Sequence, residues 1–209
     1  MRFLTPLFFF LILTVQNVQA DACLPIICMG KPNAPIAMID YSSLTCTHCA
    51  EFHKTILPVI IKKYVKPGHV RLIIRDFPGD KVALLAHQLS WCKGEAEYLN
   101  FVKLFYAKQD EWLLAKDPAK ALKEVVLKNG FTPKQFKACV QNAGLMNQII
   151  QGRLKGQKQY SIKSTPTLVI NANSVSKVYQ RALTLEEVEA IFRPILEPKS
   201  SKKSSEEKS

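Results

Sequence analysis

The sequence predicts an α/β protein interrupted by an all-helical insertion, and three features carry that expectation. Two short apolar runs bounded by turn residues, "PIAMIDY" (35–41) and "VRLIIRDF" (70–77), read as strands on either side of a helical stretch. From Asp80 to about Gln159 the pattern changes to helix after helix. Strand-like runs then return in "TPTLVIN" (165–171) and "SVSKVYQR" (174–181), and an amphipathic helix follows. Strand, helix, strand, insertion, strand, strand, helix is the order of an α/β layer with a guest domain. No internal repeat is visible.

Taken in order, the first twenty residues look like an export signal. Arg2 gives a positive start, Leu7 to Val15 is an apolar run, and "VQA" ends at Ala20 with small residues where a signal peptidase cuts. The run is shorter than the ~20 apolar residues a bilayer span needs. Asp21 also stands where a lipoprotein signal wants a small uncharged residue. Residues 1–20 are therefore expected to be cleaved, with Asp21 as the mature start. After the first strand and its "CTHC", the run "AEFHKTILPVIIKKYV" has apolar residues at 52, 56, 59, 60 and 64. Pro58 lies inside it and predicts a kink, because it donates no backbone hydrogen bond and crowds the preceding turn.

The insertion opens at "DKVALLAHQLSWCKG", with Asp80 as cap and Gly94 as stop. "EAEYLNFVKLFYAKQDEWLL" follows. Pro118 near the start and Gly130 past the end bound a third helix. Thr132, Pro133 and Gln135 form a capping-box pattern for a fourth. "LMNQIIQGRLKGQKQY" reads as a helix broken by Gly152 and Gly156. The "ANS" link between the last two strand runs contains Asn173, which tolerates a left-handed backbone. Thr184 caps the closing helix, and from Glu197 onward "EPKSSKKSSEEKS" has no apolar residue to bury and is expected to be a disordered tail.

The net charge is +12, from 29 Lys and Arg against 17 Asp and Glu. The lysines are spread through helical segments, with no dense basic block and no interleaved aromatics. That argues for a soluble basic surface and against a nucleic-acid partner. All six cysteines (Cys23, Cys28, Cys46, Cys49, Cys92, Cys139) lie beyond the export signal. In an oxidising compartment thiols pair, and a chain of this length can bury a core without depending on disulfides to fold.

Cys46-Thr47-His48-Cys49 follows a strand and opens a helix. The first turn of a helix carries free N–H groups and a partial positive charge, so a thiolate at Cys46 is stabilised. Cys49, three residues on, is within reach for a disulfide, and His48 can stabilise the thiolate further. Such a pair can also be an inert staple. Cys46, Cys49 and His53 lie near one helical face at spacings a zinc or copper ion could use, although no second ligand pair completes the set.

"YSSLTCTHCAEFHKTILP", "VRLIIRDFPGD" and "STPTLVIN" together resemble the DsbA-like thiol–disulfide oxidoreductases, a branch of the thioredoxin superfamily. The likeness runs over roughly residues 28–195. It implies a thioredoxin fold split into a first part (21–80) and a second part (161–197) around the helical insertion (81–160), with the tail at 198–209. It implies that Cys46 is the attacking and attacked sulfur, that Cys49 is its buried partner, and that His48 tunes the thiolate. Thr165 and Pro166 match the cis-proline segment that lends backbone groups to an incoming peptide. Asp40 matches the buried acid that handles protons for the second cysteine. Some relatives carry a second bridge, which would here join Cys92 and Cys139 as a structural disulfide. Cys23 and Cys28 flank "LPII" near the mature start, and their pairing stays open: an extended strand between them would hold them too far apart.

The activity implied is that of a periplasmic dithiol oxidase, needing no cofactor. It would act as a monomer on folding exported proteins with free thiols and be reoxidised by a DsbB-type membrane oxidase. Thr47 stands where the strongest oxidants of the family have proline, and Thr165 before Pro166 resembles the isomerase branch. An isomerase or reductase is therefore the alternative within this chemistry, and an exported metal-binding or structural module using Cys46, Cys49 and His53 the alternative outside it.

Overall fold

A computed structural model describes residues 26–197. The expected export signal at residues 1–20, Cys23 and the expected tail from 198 lie outside the described residues. A five-stranded sheet organises the chain, in the order β1-β3-β2-β4-β5. Its strands are β1 (Ile27–Met29), β2 (Ile36–Ser42), β3 (Val70–Asp76), β4 (Thr167–Ala172) and β5 (Val175–Tyr179). β2 and β3 are parallel, and the other three pairings are antiparallel. At the centre, Met38 lies between Leu72 and Ile170.

Side chains alternate across a strand, and β2 uses that alternation to serve two cores. Met38 packs into the large core with Leu72, Ile170 and the helices. Ile39 and Tyr41 point to the other face and pack with Phe77, Ile162 and Val169. β2 is buried along nearly its whole length, as a central strand covered on both faces must be.

After β2 the chain turns into α1 (Thr47–Glu51) and α2 (Leu57–Ile60). These are not one regular α-helix. π-helical turns occupy Phe52–Ile56 and Ile61–Val65. Pro58 has no N–H to offer the carbonyl a turn back, and just before it the Leu57 N–H donates to Phe52 O, five residues away.

Between β3 and β4 the chain runs through α3 (Lys81–Trp91), α4 (Glu95–Ala107), α5 (Gln109–Leu113), α6 (Pro118–Lys128), α7 (Pro133–Val140) and α8 (Ala143–Tyr160). Asp80 caps α3 by accepting from the Val82 and Ala83 N–H groups at 2.8 Å each. The stretch read as one helix over "EAEYLNFVKLFYAKQDEWLL" divides at Lys108, whose φ of −106° and ψ of 18° leave the helical region.

Two further sequence readings are corrected. α8 is continuous through Gly152 and Gly156. Gly156 is buried under the Tyr41 ring, which a Cβ there would strike; it is a contact glycine, not a break. In addition, β1 forms where no strand was read, because three residues are too few to show a period.

The β4–β5 turn places both Asn173 and Ser174 at positive φ, 49° and 61°, the backbone a tight hairpin demands. α9 (Leu185–Leu196) closes the fold with a capping box between Thr184 and Glu187.

Candidate active site

Cys46 sits at the junction of β2 and α1, where it is the N-cap residue. Its sulfur accepts the Cys49 backbone N–H at 3.2 Å, and its thiol donates to the Thr165 carbonyl, also at 3.2 Å. Thr165 belongs to the loop entering β4, and the Thr165–Pro166 peptide is cis. Residues 119 apart in sequence thus meet at one sulfur. Cys46 is half-buried and Cys49 fully buried, and both carry free thiols.

The two sulfurs are electrostatic opposites. The Cys46 thiol is pulled down to about 6, first by the hydrogen bond from the Cys49 thiol, then by Thr165 and the backbone N–H groups of Cys49 and His48, against the opposing effect of burial. The Cys49 thiol is driven far above the ordinary range, first by burial and then by Cys46 itself, with Asp40 adding to the effect. At neutral pH the pair therefore holds one thiolate, on the more exposed sulfur.

The His48 imidazole is exposed. The His48 backbone N–H is among the groups that lower the Cys46 thiol. Asp40 is fully buried on β2. It accepts from Ser42 Oγ at 2.6 Å and lies 2.7 Å from His53 Nε2. The His53 ring also packs 4.7 Å from the Tyr106 ring. This nitrogen is directed at the carboxylate. Among the described residues no group of three or more His, Cys, Asp or Glu is placed to hold a metal ion.

Cys92, at the C-terminal end of α3, is joined to Cys139 of α7 by a disulfide closing 47 residues. Cys28 is exposed on β1, with Arg71 Nη2 donating toward its sulfur at 3.8 Å.

Some residues at the site have no sequence signature. Gln109 of α5 donates to Leu44 O at 2.8 Å and to Cys46 O at 3.2 Å. His87 of α3 accepts the Leu44 N–H at 3.3 Å. The Tyr106 hydroxyl donates to Ser43 O at 3.2 Å. Each reaches across more than forty residues, beyond any local pattern.

A dithiol at a strand–helix junction, facing a cis-proline loop on this sheet, defines a thioredoxin-fold protein of the Cys-x-x-Cys class. The comparisons agree. A thioredoxin family model matches residues 25–192, and the chain belongs to that family, in its DsbA-like branch. The crystal structure of alpha-DsbA1 from Wolbachia pipientis superposes with a TM-score of 0.72 at 27% identity, covering 82% of this chain and 92% of that one. A Rickettsia typhi chain provisionally named a protein-disulfide oxidoreductase is 26% identical over 164 residues, 74% of this chain. The alignment covers 61% of that relative's length. Disulfide bond formation protein D of Bacillus subtilis is 25% identical over 158 residues, covering 68% of this chain and 66% of that protein.

Proposed function

We propose that this protein is a thiol–disulfide oxidoreductase, and specifically a dithiol oxidase that passes the Cys46–Cys49 disulfide to exported proteins as they fold. The observation that carries the reading is the asymmetry of the two sulfurs: Cys46 is lowered to about 6 and Cys49 is raised by burial. A dithiol whose reduced form is stabilised as a thiolate makes its disulfide a good electron acceptor.

In the first step a client thiolate attacks Cys46 Sγ. The Cys46–Cys49 bond breaks, and Cys49 leaves with the electron pair and must take a proton, because its environment disfavours the anion. Asp40 and His53 form the ionisable pair beside it. In the second step the client's other thiolate attacks the client sulfur of the mixed disulfide, and Cys46 leaves as its stabilised thiolate. The client has lost two electrons and gained a disulfide; the protein holds one thiolate and one thiol. Thr165 O, already in contact with Cys46, offers a backbone acceptor beside the mixed disulfide.

Reoxidation is assigned to a DsbB-type membrane oxidase, and the place of action to the extracytoplasmic side. The apolar run from Leu7 to Val15 supports that location. The isomerase or reductase alternative keeps the same site and differs in potential.

Two measurements test the proposal. In a Cys49→Ala variant the resolving sulfur is gone, and client proteins should accumulate as mixed disulfides on Cys46. The reduction potential should fall nearer the roughly −120 mV of DsbA than the roughly −270 mV of thioredoxin. A value at the thioredoxin end would transfer the assignment to a reductase, and an absence of trapped clients would remove the exchange activity altogether.

A further inference from the structure

The loop that carries the chain from β2 to Cys46 is fastened residue by residue to the helical insertion and its entry. Ser43 O accepts from Tyr106, and Thr45 Oγ1 donates to Asp80 Oδ2 at 2.7 Å. The Leu44 peptide is held at both ends. Its N–H goes to His87 Nε2 and its carbonyl to Gln109 Nε2, whose amide also reaches Cys46 O. Leu44, His87 and Gln109 are all buried.

An imidazole nitrogen can accept a hydrogen bond only when it bears no proton. As the acceptor from Leu44, His87 Nε2 bears no proton in this arrangement, which leaves Nδ1 to carry the proton of a neutral ring; Nδ1 lies 2.6 Å from Asp76 Oδ1, at ion-pair distance but not aligned for a hydrogen bond. Asp76, the last residue of β3, accepts from Trp91 Nε1 at 2.6 Å and from the Tyr98 hydroxyl. Burial pushes the Asp76 carboxyl up, but His87, Tyr98 and Trp91 outweigh it and hold it below its ordinary range. A buried anion held by Trp91 and Tyr98 and lying 2.6 Å from Nδ1 thus sets which way the His87 ring faces and which nitrogen meets Leu44.

We propose that His87 and Gln109 are positioning residues for Cys46: side chains of the helical insertion that hold the Leu44 peptide, and through it the turn in which the His48 and Cys49 N–H groups face the Cys46 sulfur. The insertion then does more than cover the sheet. It sets the orientation of the main-chain donors on which the thiolate depends. The Asp76–His87 pair acts at one remove, since neither side chain touches the sulfur.

The inference rests on the reading of Cys46 as an exchanging thiolate, but its test needs no client. Nitrogen-15 NMR of the reduced wild-type protein near neutral pH should show His87 protonated at Nδ1 and bare at Nε2. In His87→Leu, and independently in Gln109→Met, the Cys46 thiolate absorbance should titrate about one pH unit higher than in wild type, a tenfold smaller thiolate-to-thiol ratio at a given pH. Should His87→Leu fail to fold, Gln109→Met provides the same readout from the other end of the peptide. A His87 ring protonated at Nε2, or folded variants that titrate like wild type, would overturn the proposal. Failure of the wild-type protein to oxidise any client would instead count against the oxidase reading and leave these measurements standing.

Discussion

The Cys49 backbone N–H donates to the Cys46 sulfur at 3.2 Å, so the chain that supplies the second thiol also stabilises the charge on the first. This contact exists because Cys46 is the N-cap: its extended backbone, φ −84° and ψ 119°, swings the side chain over the free N–H groups of the first turn. Serine and aspartate commonly fill that position with oxygen. A sulfur there gains the same donors, and the gain appears as acidity.

Reduced protein should show this acidity directly. Iodoacetamide should alkylate Cys46 with a rate that rises through a midpoint near pH 6, while Cys49 stays unreactive. Stability should follow in sign. A thiol depressed below its unfolded value of roughly 8.5 binds fewer protons folded than unfolded between the two values, so the reduced form gains stability as pH rises from about 6 to 8.5. The gain disappears below that window. Above it the raised Cys49 thiol acts in the opposite sense, because the unfolded chain loses a proton that the folded chain keeps. Oxidised protein has neither thiol. The Tm difference, reduced minus oxidised, should therefore increase from pH 5.5 to pH 8; a flat difference would contradict the Cys46 assignment.

Much of this architecture is readable from sequence because it is written locally. "PIAMIDY" and "VRLIIRDF" are apolar runs between turn signals, and β2 and β3 lie within a residue or so of them. The Thr132 and Thr184 boxes announce helix starts by a three-residue spacing. What is not readable is what long separation hides. His87 and Leu44 are 43 residues apart and Gln109 and Leu44 are 65 apart; a lone His or Gln on a helix gives no hint of such a partner. α8 misleads for a related reason, since glycine is a local helix-breaking signal and the Tyr41 ring that calls for Gly156 arrives from another strand.

The two glycines of α8 should respond oppositely to substitution by alanine. A Cβ at Gly152 meets nothing within 4 Å, so Gly152→Ala should stabilise by up to about 1 kcal/mol through helix propensity. At Gly156 the same methyl strikes the Tyr41 ring, itself wedged against Phe77 and Tyr160. Overpacking of this kind costs ~1–3 kcal/mol. Urea midpoints of the two variants should move to opposite sides of wild type; movement in the same direction would rule out the Tyr41 contact as the reason for Gly156.

Removing the Cys92–Cys139 bridge should leave one new titratable thiol in the denatured oxidised Cys92→Ser protein. For a closed loop of 47 residues the chain-entropy cost of losing it is on the order of 4 kcal/mol. The loss falls on the unfolded state, so denaturation in urea should shift while Cys46 keeps its acidity. A thiol count that falls by one would show instead that the bridge does not form.

Asp40 and His53 should separate a structural from a chemical role. Asp40 is fully buried, and His53, partly buried, is the partner of a carboxylate that has no solvent to turn to. His53→Leu strands that charge, and breaking such a pair costs about 3–5 kcal/mol. Asp40→Asn removes the charge itself; the amide oxygen can still accept from Ser42, so the stability cost should be the smaller of the two. Chemistry should rank them differently. When a thiolate attacks oxidised protein, Cys49 must acquire a proton as it leaves; the proton shared between His53 Nε2 and Asp40 Oδ2 is the neighbouring source, and Asp40→Asn removes the carboxyl through which it would pass. Stopped-flow reduction by dithiothreitol at neutral pH should slow by on the order of 100-fold in Asp40→Asn, within the range for loss of a positioned acid or base. Raising the buffer acid concentration should restore part of the rate, since an external donor can stand in for the missing one. If Asp40→Asn is reduced as fast as wild type, the carboxylate is a buried structural anion and Cys49 takes its proton from elsewhere.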